Sequence, residues 1–148
     1  MPRPVPHPDR LAADLLPRLS RLTRALARGA TGLSRTQISV LRTLHDEGPT
    51  RISSLAARER VTQPTMTTLI NRLERQRLVE RRADPADGRA VPVSITASGR
   101  EALAAAVAEM EATLAGQIGG LPDADRRALE AILPVFDRLV TTHQEHPS

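Results

Sequence analysis

The sequence predicts a mainly α fold with a small β wing (α+β): a helix-turn-helix followed by a two-stranded ribbon, flanked by long helices at both ends of the chain. Three observations predict it. Apolar residues recur at three- and four-residue spacing through most of the 148 residues, as in helices with one buried side. Residues 78–82 and 90–95 break that rhythm and flank Asp84-Pro85-Ala86-Asp87-Gly88, a dense turn cluster. Directly before them stand a short apolar-faced helix, a tight turn and a second helix with an uncharged or basic outer face.

In chain order, residues 1–8 alternate proline with other residues, which predicts an extended, mobile arm. Residues 9–30 read as a helix: Asp9 is placed to cap it, and Leu11, Leu15, Leu19, Leu22 and Leu26 form its apolar side. Pro17 should kink it, because proline removes one ladder bond and crowds the carbonyl four residues back. Thr31-Gly32 ends it. Ser34 with Gln37 three residues on is a capping-box arrangement for a second helix, with Ile38, Leu41 and Leu44 inward and Gly48-Pro49 as its stop. A short helix over 53–58 turns Ile52, Leu55 and Ala56 inward, and residues 59–61 make the turn.

The helix after that turn has Thr62 as cap and Pro64 in its first turn, where a missing N–H costs nothing. Its apolar stripe is Met66, Leu69, Ile70 and Leu73. The three helices should pack through Leu41, Leu44, Leu55, Met66, Ile70 and Leu73. Pro92 cannot donate to a strand ladder, so the ribbon should be short or an edge. Thr96 caps a long helix from residue 97 with Leu103, Val107, Met110 and Leu114 on one side, and Gly119-Gly120 ends it. Asp123 should cap a last helix carrying Leu129, Ile132, Leu133, Phe136, Leu139 and Val140, with a bend at Pro134 and a frayed, mobile tail over 143–148. The outer helices carry more apolar surface than a small three-helix core needs, which points to a closed two-fold homodimer.

Composition narrows the function classes. Cysteine is absent, which removes disulfides, thiolate catalysis and thiol redox sensing. All 21 basic residues are arginine, a good phosphate ligand. The net charge of +4 is uneven: residues 51–100 are basic and the last 48 residues acidic, as for a chain whose middle meets a polyanion. No apolar run approaches the ~18 residues of a membrane span, and the N-terminus lacks the apolar core of a signal peptide, so a cytoplasmic protein without membrane contact is expected. The histidines His7, His45, His143 and His146 lack the partners of a metal site or a nucleophile, and there is no glycine-rich phosphate loop, so no catalytic residue, metal or cofactor is predicted.

The outer face of the polar helix carries the chemistry: Thr62, Gln63, Pro64, Thr65, Thr67, Thr68, Asn71, Arg72 and Arg75, with no acid before Glu74. Such a face does not repel phosphates, and its amide and hydroxyl groups can bond base edges in the major groove of double-stranded DNA. A winged helix that binds protein without reading DNA is the alternative, which an acidic face would favour; this face is not acidic.

In Leu55-Ala56, the run from Pro64 to Glu74, Leu78-Val79-Glu80-Arg81, the turn from Asp84 to Arg89, and Ser94-Ile95-Thr96-Ala97-Ser98-Gly99-Arg100, the chain resembles the MarR family of bacterial transcription regulators. The resemblance implies a winged helix-turn-helix over 34–96 between dimerisation helices at 9–33 and 97–142, all within a single 1–148 domain. It implies a sequence-specific homodimeric repressor on a palindromic operator, released by a small molecule. It assigns Arg89 to the minor groove, supported by Asp84 or Asp87; a turn-stabilising ion pair is the competing role of the same residues. Arg21, Arg42 and His45 become the candidate polar groups of an effector cavity where the first two helices meet the start of the fifth, suited to an anionic aromatic ligand. Three positions depart from the family pattern. Arg77 stands where glycine is frequent and must turn left-handed or end the helix otherwise, Thr68 stands where arginine is frequent, and Pro92 is unusual in the second wing strand.

Overall fold

The computed structural model describes residues 5–26, 32–81 and 91–145, with side chains as far as residue 141. Six helices and two strands follow in the order α1 (Pro8–Leu26), α2 (Arg35–Glu47), α3 (Ile52–Glu59), α4 (Gln63–Arg75), β1 (Val79–Arg81), β2 (Val93–Ile95), α5 (Ala97–Gly119) and α6 (Asp123–Glu145). Residues 1–111 form one compact unit and residues 112–148 a second.

Local signals place most of the boundaries. The α2 capping box forms as predicted: Ser34 Oγ accepts the Gln37 amide at 3.2 Å, and Gln37 Oε1 accepts the Ser34 amide at 2.8 Å. Gly48 then leaves the helix at φ +81°. Thr62 caps α4, its Oγ1 accepting the Thr65 amide at 3.4 Å. Two caps need correction. Helix α1 begins at Pro8, so Asp9 lies in its first turn and not at the cap, because proline is well tolerated at a first helical position. Asp123 is likewise the first residue of α6, where the Pro122 carbonyl accepts the Asp125 and Arg126 amides at 3.0 and 3.1 Å. Helices α1 and α6 continue through Pro17 and Pro134. Helix α6 runs on to Glu145, beyond the expected start of a frayed tail at residue 143.

The core lies in the first unit. Val40, Leu41, Leu44, Leu55, Met66, Ile70 and Leu73 are all essentially inaccessible, joined by Val79 and Val93 from the strands and Leu103 and Ala106 from α5. Every residue of the predicted three-helix core is there. Leu69 is only partly buried, at the edge of its stripe.

Strands β1 and β2 pair antiparallel in the register Val79↔Ile95, Glu80↔Ser94 and Arg81↔Val93. Each spans three residues, less than the sequence ranges suggested, and β2 starts immediately after Pro92, the residue that cannot join a ladder. A further bridge was not foreseen: Thr50, between α2 and α3, exchanges both backbone bonds with Val93 at 3.0 and 2.9 Å. It ties the base of the wing to the entry of the helix-turn-helix. The predicted wing tip, with Asp84, Asp87 and Arg89, lies outside the described residues.

The junction after α4 is a tight turn. Arg77 is left-handed at φ +60°, as one of its two sequence-level options required. The Arg77 amide bonds the Glu74 carbonyl at 2.9 Å and the Leu78 amide the Leu73 carbonyl at 3.0 Å, the paired bonds of a Schellman motif. The α3–α4 turn repeats this with Arg60 at φ +53°, whose amide bonds Ala57 while the Val61 amide bonds Ala56. Thr96 then locks the start of α5 to the first of these turns. Its hydroxyl donates to the Arg77 carbonyl at 2.7 Å and accepts the Gly99 amide at 3.0 Å, and its own amide bonds the Leu78 carbonyl at 3.1 Å. Gly99 presses against that same carbonyl: a Cβ there would stand 2.0 Å from Leu78 O.

Candidate nucleic-acid interface

Burial of Met66, Ile70 and Leu73 fixes the rotation of α4 and so its outward face. Thr62, Gln63, Pro64, Thr65, Thr68, Asn71, Arg72 and Arg75 are all exposed. Thr67 is the exception among the predicted contacts. It is half-buried, one step round the helix from Met66, and lies on the flank of the face.

The hydroxyls on this face are already oriented. Thr62 and Thr65 share a hydrogen bond at 2.8 Å, and Thr68 donates to the Pro64 carbonyl at 3.0 Å. Thr68 therefore presents lone pairs outward, suited to a donor such as an exocyclic base amine. Gln63, at the helix N-terminus, extends the row toward the end of the helix that enters a groove first.

The acids of the region are engaged. Glu74 Oε2 accepts from Arg81 Nη1 at 3.0 Å, and Arg81 Nη2 reaches Asn71 Oδ1 at 2.6 Å. Glu47 pairs with Arg58, and Glu59 Oε1 accepts from Ser39 Oγ at 2.5 Å, which also fastens α3 to α2. Arg81 escaped the sequence reading. It sits at the base of the wing and fixes β1 to α4 while offsetting the one acid of that helix. Asn71, predicted as a DNA contact, thus has its carboxamide oxygen directed to Arg81 and keeps its NH₂ for other partners.

Helix α4 contributes to two clefts. One, of about 560 Å³, lies between the start of α2 and α4, with Ser34, Gln37, Thr65, Thr68, Leu69, Arg72 and Arg75 on its walls. The other, of about 450 Å³, is lined by Thr68, Asn71, Glu74 and Arg75. Of the predicted effector residues, His45 alone is on the walls of a described cleft. His45 lines a separate cleft of about 320 Å³ with Leu44, Glu80, Ser94 and Arg100, between the end of α2, the strands and the start of α5. Arg21 and Arg42 are exposed and do not line it. The spacing of Arg42 and His45 puts them near one another on α2, but burial of Leu41 and Leu44 turns both toward solvent. Among the described residues, no group of histidine and acidic side chains is arranged to hold a metal ion.

Comparison with known proteins decides the family. The MarR family model matches residues 33–91, from just before the α2 capping box to just short of β2. An uncharacterized HTH-type transcriptional regulator of Mycobacterium bovis, Mb0904, is 37% identical over 133 residues, covering 88% of this chain and 93% of that protein. The chain belongs to the MarR family. It is a DNA-binding winged-helix transcriptional regulator, and the geometry described above is that of its helix-turn-helix and wing base. Solved structures share the fold of this MarR-family chain. One, the S. aureus MepR protein in a mutant form bound to an oligodeoxyribonucleotide, has a TM-score of 0.63 at 20% identity, covering 86% of this chain and 96% of that one. Another, Bordetella bronchiseptica BpsR, whose DNA binding is regulated by 6-hydroxynicotinic acid, has a TM-score of 0.57 at 28% identity, covering 85% and 98%. Among the described residues of the regulator, no helix is long and apolar enough to cross a membrane.

Proposed function

We propose that this regulator is a cytoplasmic homodimeric repressor that reads a palindromic operator, with α4 in the major groove and Arg89 at the wing tip in the minor groove. The observation that carries the reading is the outward face of α4: polar, basic, and with its one nearby acid, Glu74, held by Arg81. Gln63, Thr65 and Thr68 supply base-edge contacts, while Thr62, Arg72 and Arg75 supply phosphate contacts. Pro64 and Thr67 shape the face between them, and Asp84 or Asp87 orients Arg89.

Self-association is supported by apolar surface that a single chain leaves in water. In α1, Leu11, Leu16 and Leu22 are exposed; in α6, Leu133 is 59% and Leu139 55% exposed. Burying a side chain of this kind contributes about 1.5–3 kcal/mol. A two-fold pair also places two recognition helices for half-sites one helical turn apart.

Release by a small anionic aromatic ligand is supported by the likeness to BpsR, and the cleft of His45 and Arg100 offers two basic groups at the junction of α2, the wing strands and α5. Such a ligand lowers DNA affinity only by favouring the DNA-incompetent state, with a coupling of ~1–3 kcal/mol.

Titrating a duplex from the protein's own upstream region, at several salt concentrations, tests the reading. Log affinity should fall linearly with log salt, steeply for six or more neutralised phosphates. A salt-insensitive or absent interaction, from protein that light scattering shows to be a dimer, contradicts it.

A further inference from the structure

The cleft between the start of α2 and α4 contains a polar group that the protein itself leaves without a partner. Gln37 is 3% exposed, the one buried polar side chain among the described residues. Its Oε1 completes the capping box, but its Nε2 has no hydrogen-bond partner. A buried donor left unmade is costly, and such donors are rare in folded proteins. This one belongs to a side chain on the wall of a cleft that also carries Arg72 and Arg75, and it stands at the N-terminal turn of a 13-residue helix. The Gln37 side chain, the Ser34 and Thr65 hydroxyls and two guanidinium groups line one space without a carboxylate on its walls. That donor set is complementary to a phosphate-like oxyanion.

We propose that this cleft is an oxyanion site that takes one backbone phosphate of the bound DNA, held by Gln37 Nε2, the Ser34 hydroxyl and Arg72. The proposal rests on the DNA-binding reading above and adds α2 to it as a second contact element. The cleft opens beside Thr65, Thr68 and Arg75 of the recognition face, so a duplex seated on α4 brings its backbone to this side. Less than 1 Å² of the Nε2 atom is open in the free protein. Arg72 and Arg75 are exposed long side chains on the walls of the same cleft, and the phosphate reaches Nε2 only with a local shift of those walls. The contact is to the backbone, so it fixes register and orientation and does not discriminate sequence.

Gln37→Glu separates this role from capping. Glutamate keeps the acceptor for the Ser34 amide and suits a helix N-terminus, but it replaces the donor with a negative charge that repels phosphate. The expected result, in protein that circular dichroism shows to be folded, is a loss of roughly tenfold or more in affinity for operator and random duplexes alike. Gln37→Met, without charge or donor, should lose several-fold on both duplexes, about as much as one hydrogen bond to a charged group is worth. Arg72→Ala should lower the salt slope by about one. In wild type, the Gln37 side-chain amide resonance is followed while random duplex, and separately inorganic phosphate, is added. A shift with duplex that Gln37→Glu abolishes supports the backbone-phosphate site. A shift with inorganic phosphate but none with duplex overturns the backbone source. Full DNA affinity in folded Gln37→Glu, with no shift from either probe, overturns the site. If wild-type protein binds no DNA at all, it is the DNA-binding reading that fails, and the inorganic-phosphate titration still tests the oxyanion cleft.

Discussion

Gly99→Ala should be among the most damaging single-methyl changes in this chain. The added Cβ would lie 2.0 Å from the Leu78 carbonyl oxygen and 2.7 Å from Ile95 Cγ1, and neither can swing aside as the end of a long surface chain could. Leu78 O accepts the Thr96 amide at 3.1 Å, and Leu78 directly follows Arg77, whose carbonyl accepts the Thr96 hydroxyl at 2.7 Å. Making room means moving the start of α5 by over an ångström, which breaks both bonds. Overpacking costs ~1–3 kcal/mol and each hydrogen bond ~0.5–1.5, while alanine returns up to ~1 through helix propensity. The net is about 2–4 kcal/mol, or on the order of 5–15 °C in melting temperature for a chain of this size. The assay is thermal unfolding by circular dichroism at one fixed protein concentration, because dimer dissociation is linked to unfolding. Gly116→Ala is the control: it lies in the same helix, nothing stands within 4 Å of its added Cβ, and it should gain up to ~1 kcal/mol. If Gly99→Ala melts within a degree of wild type, the reasoning that α5 is locked to the Leu78 carbonyl is refuted.

Two further outcomes follow from the turns and the wing base. Arg60→Gly and Arg77→Gly should each stabilise the fold by roughly 0.5–1 kcal/mol in urea unfolding, because both arginines hold left-handed backbones that glycine adopts without strain; a loss of stability from either would mean that its side chain contributes more than its backbone costs. Arg81→Met should weaken binding to any duplex by roughly tenfold by leaving Glu74 uncompensated beside the recognition face, and adding Glu74→Gln should restore most of it. A double variant as weak as the single one would show that Arg81 acts in some other way.

How much of this was legible in the sequence follows from how local each signal is. The capping box at Ser34 and Gln37, the Thr62 and Thr96 caps and the apolar stripe of α4 are set by residues within one or two turns of each other, and all form. The two misplaced caps, Asp9 and Asp123, each stand next to a proline, and the structure starts α1 two positions and α6 one position earlier than an aspartate cap implies. What the sequence did not disclose is pairwise and distant. The Thr50–Val93 bridge is a single residue pair with no periodicity to reveal it. Arg81 meets Asn71 and Glu74 only because β1 folds back along α4. Spacing from Ser34 identifies the capping end of Gln37, but its unpartnered amide end is defined only by the packing of α2 beside α4. The sequence groups Arg21, Arg42 and His45 only by element; in the structure His45 lines a cleft whose walls include neither Arg21 nor Arg42.

The central claim is that the exposed face of α4 reads sequence through Thr65 and its neighbours while its arginines hold the backbone. Anisotropy titrations of Thr65→Ala and Arg72→Ala, each against operator and scrambled duplex at two salt concentrations, test it most directly. Thr65→Ala should lose ~1–3 kcal/mol on operator and little on scrambled DNA. Arg72→Ala should lose on both and lower the salt slope by about one. Equal losses from Thr65→Ala on the two duplexes would contradict the claim, and would mean that α4 is not the element that reads the operator.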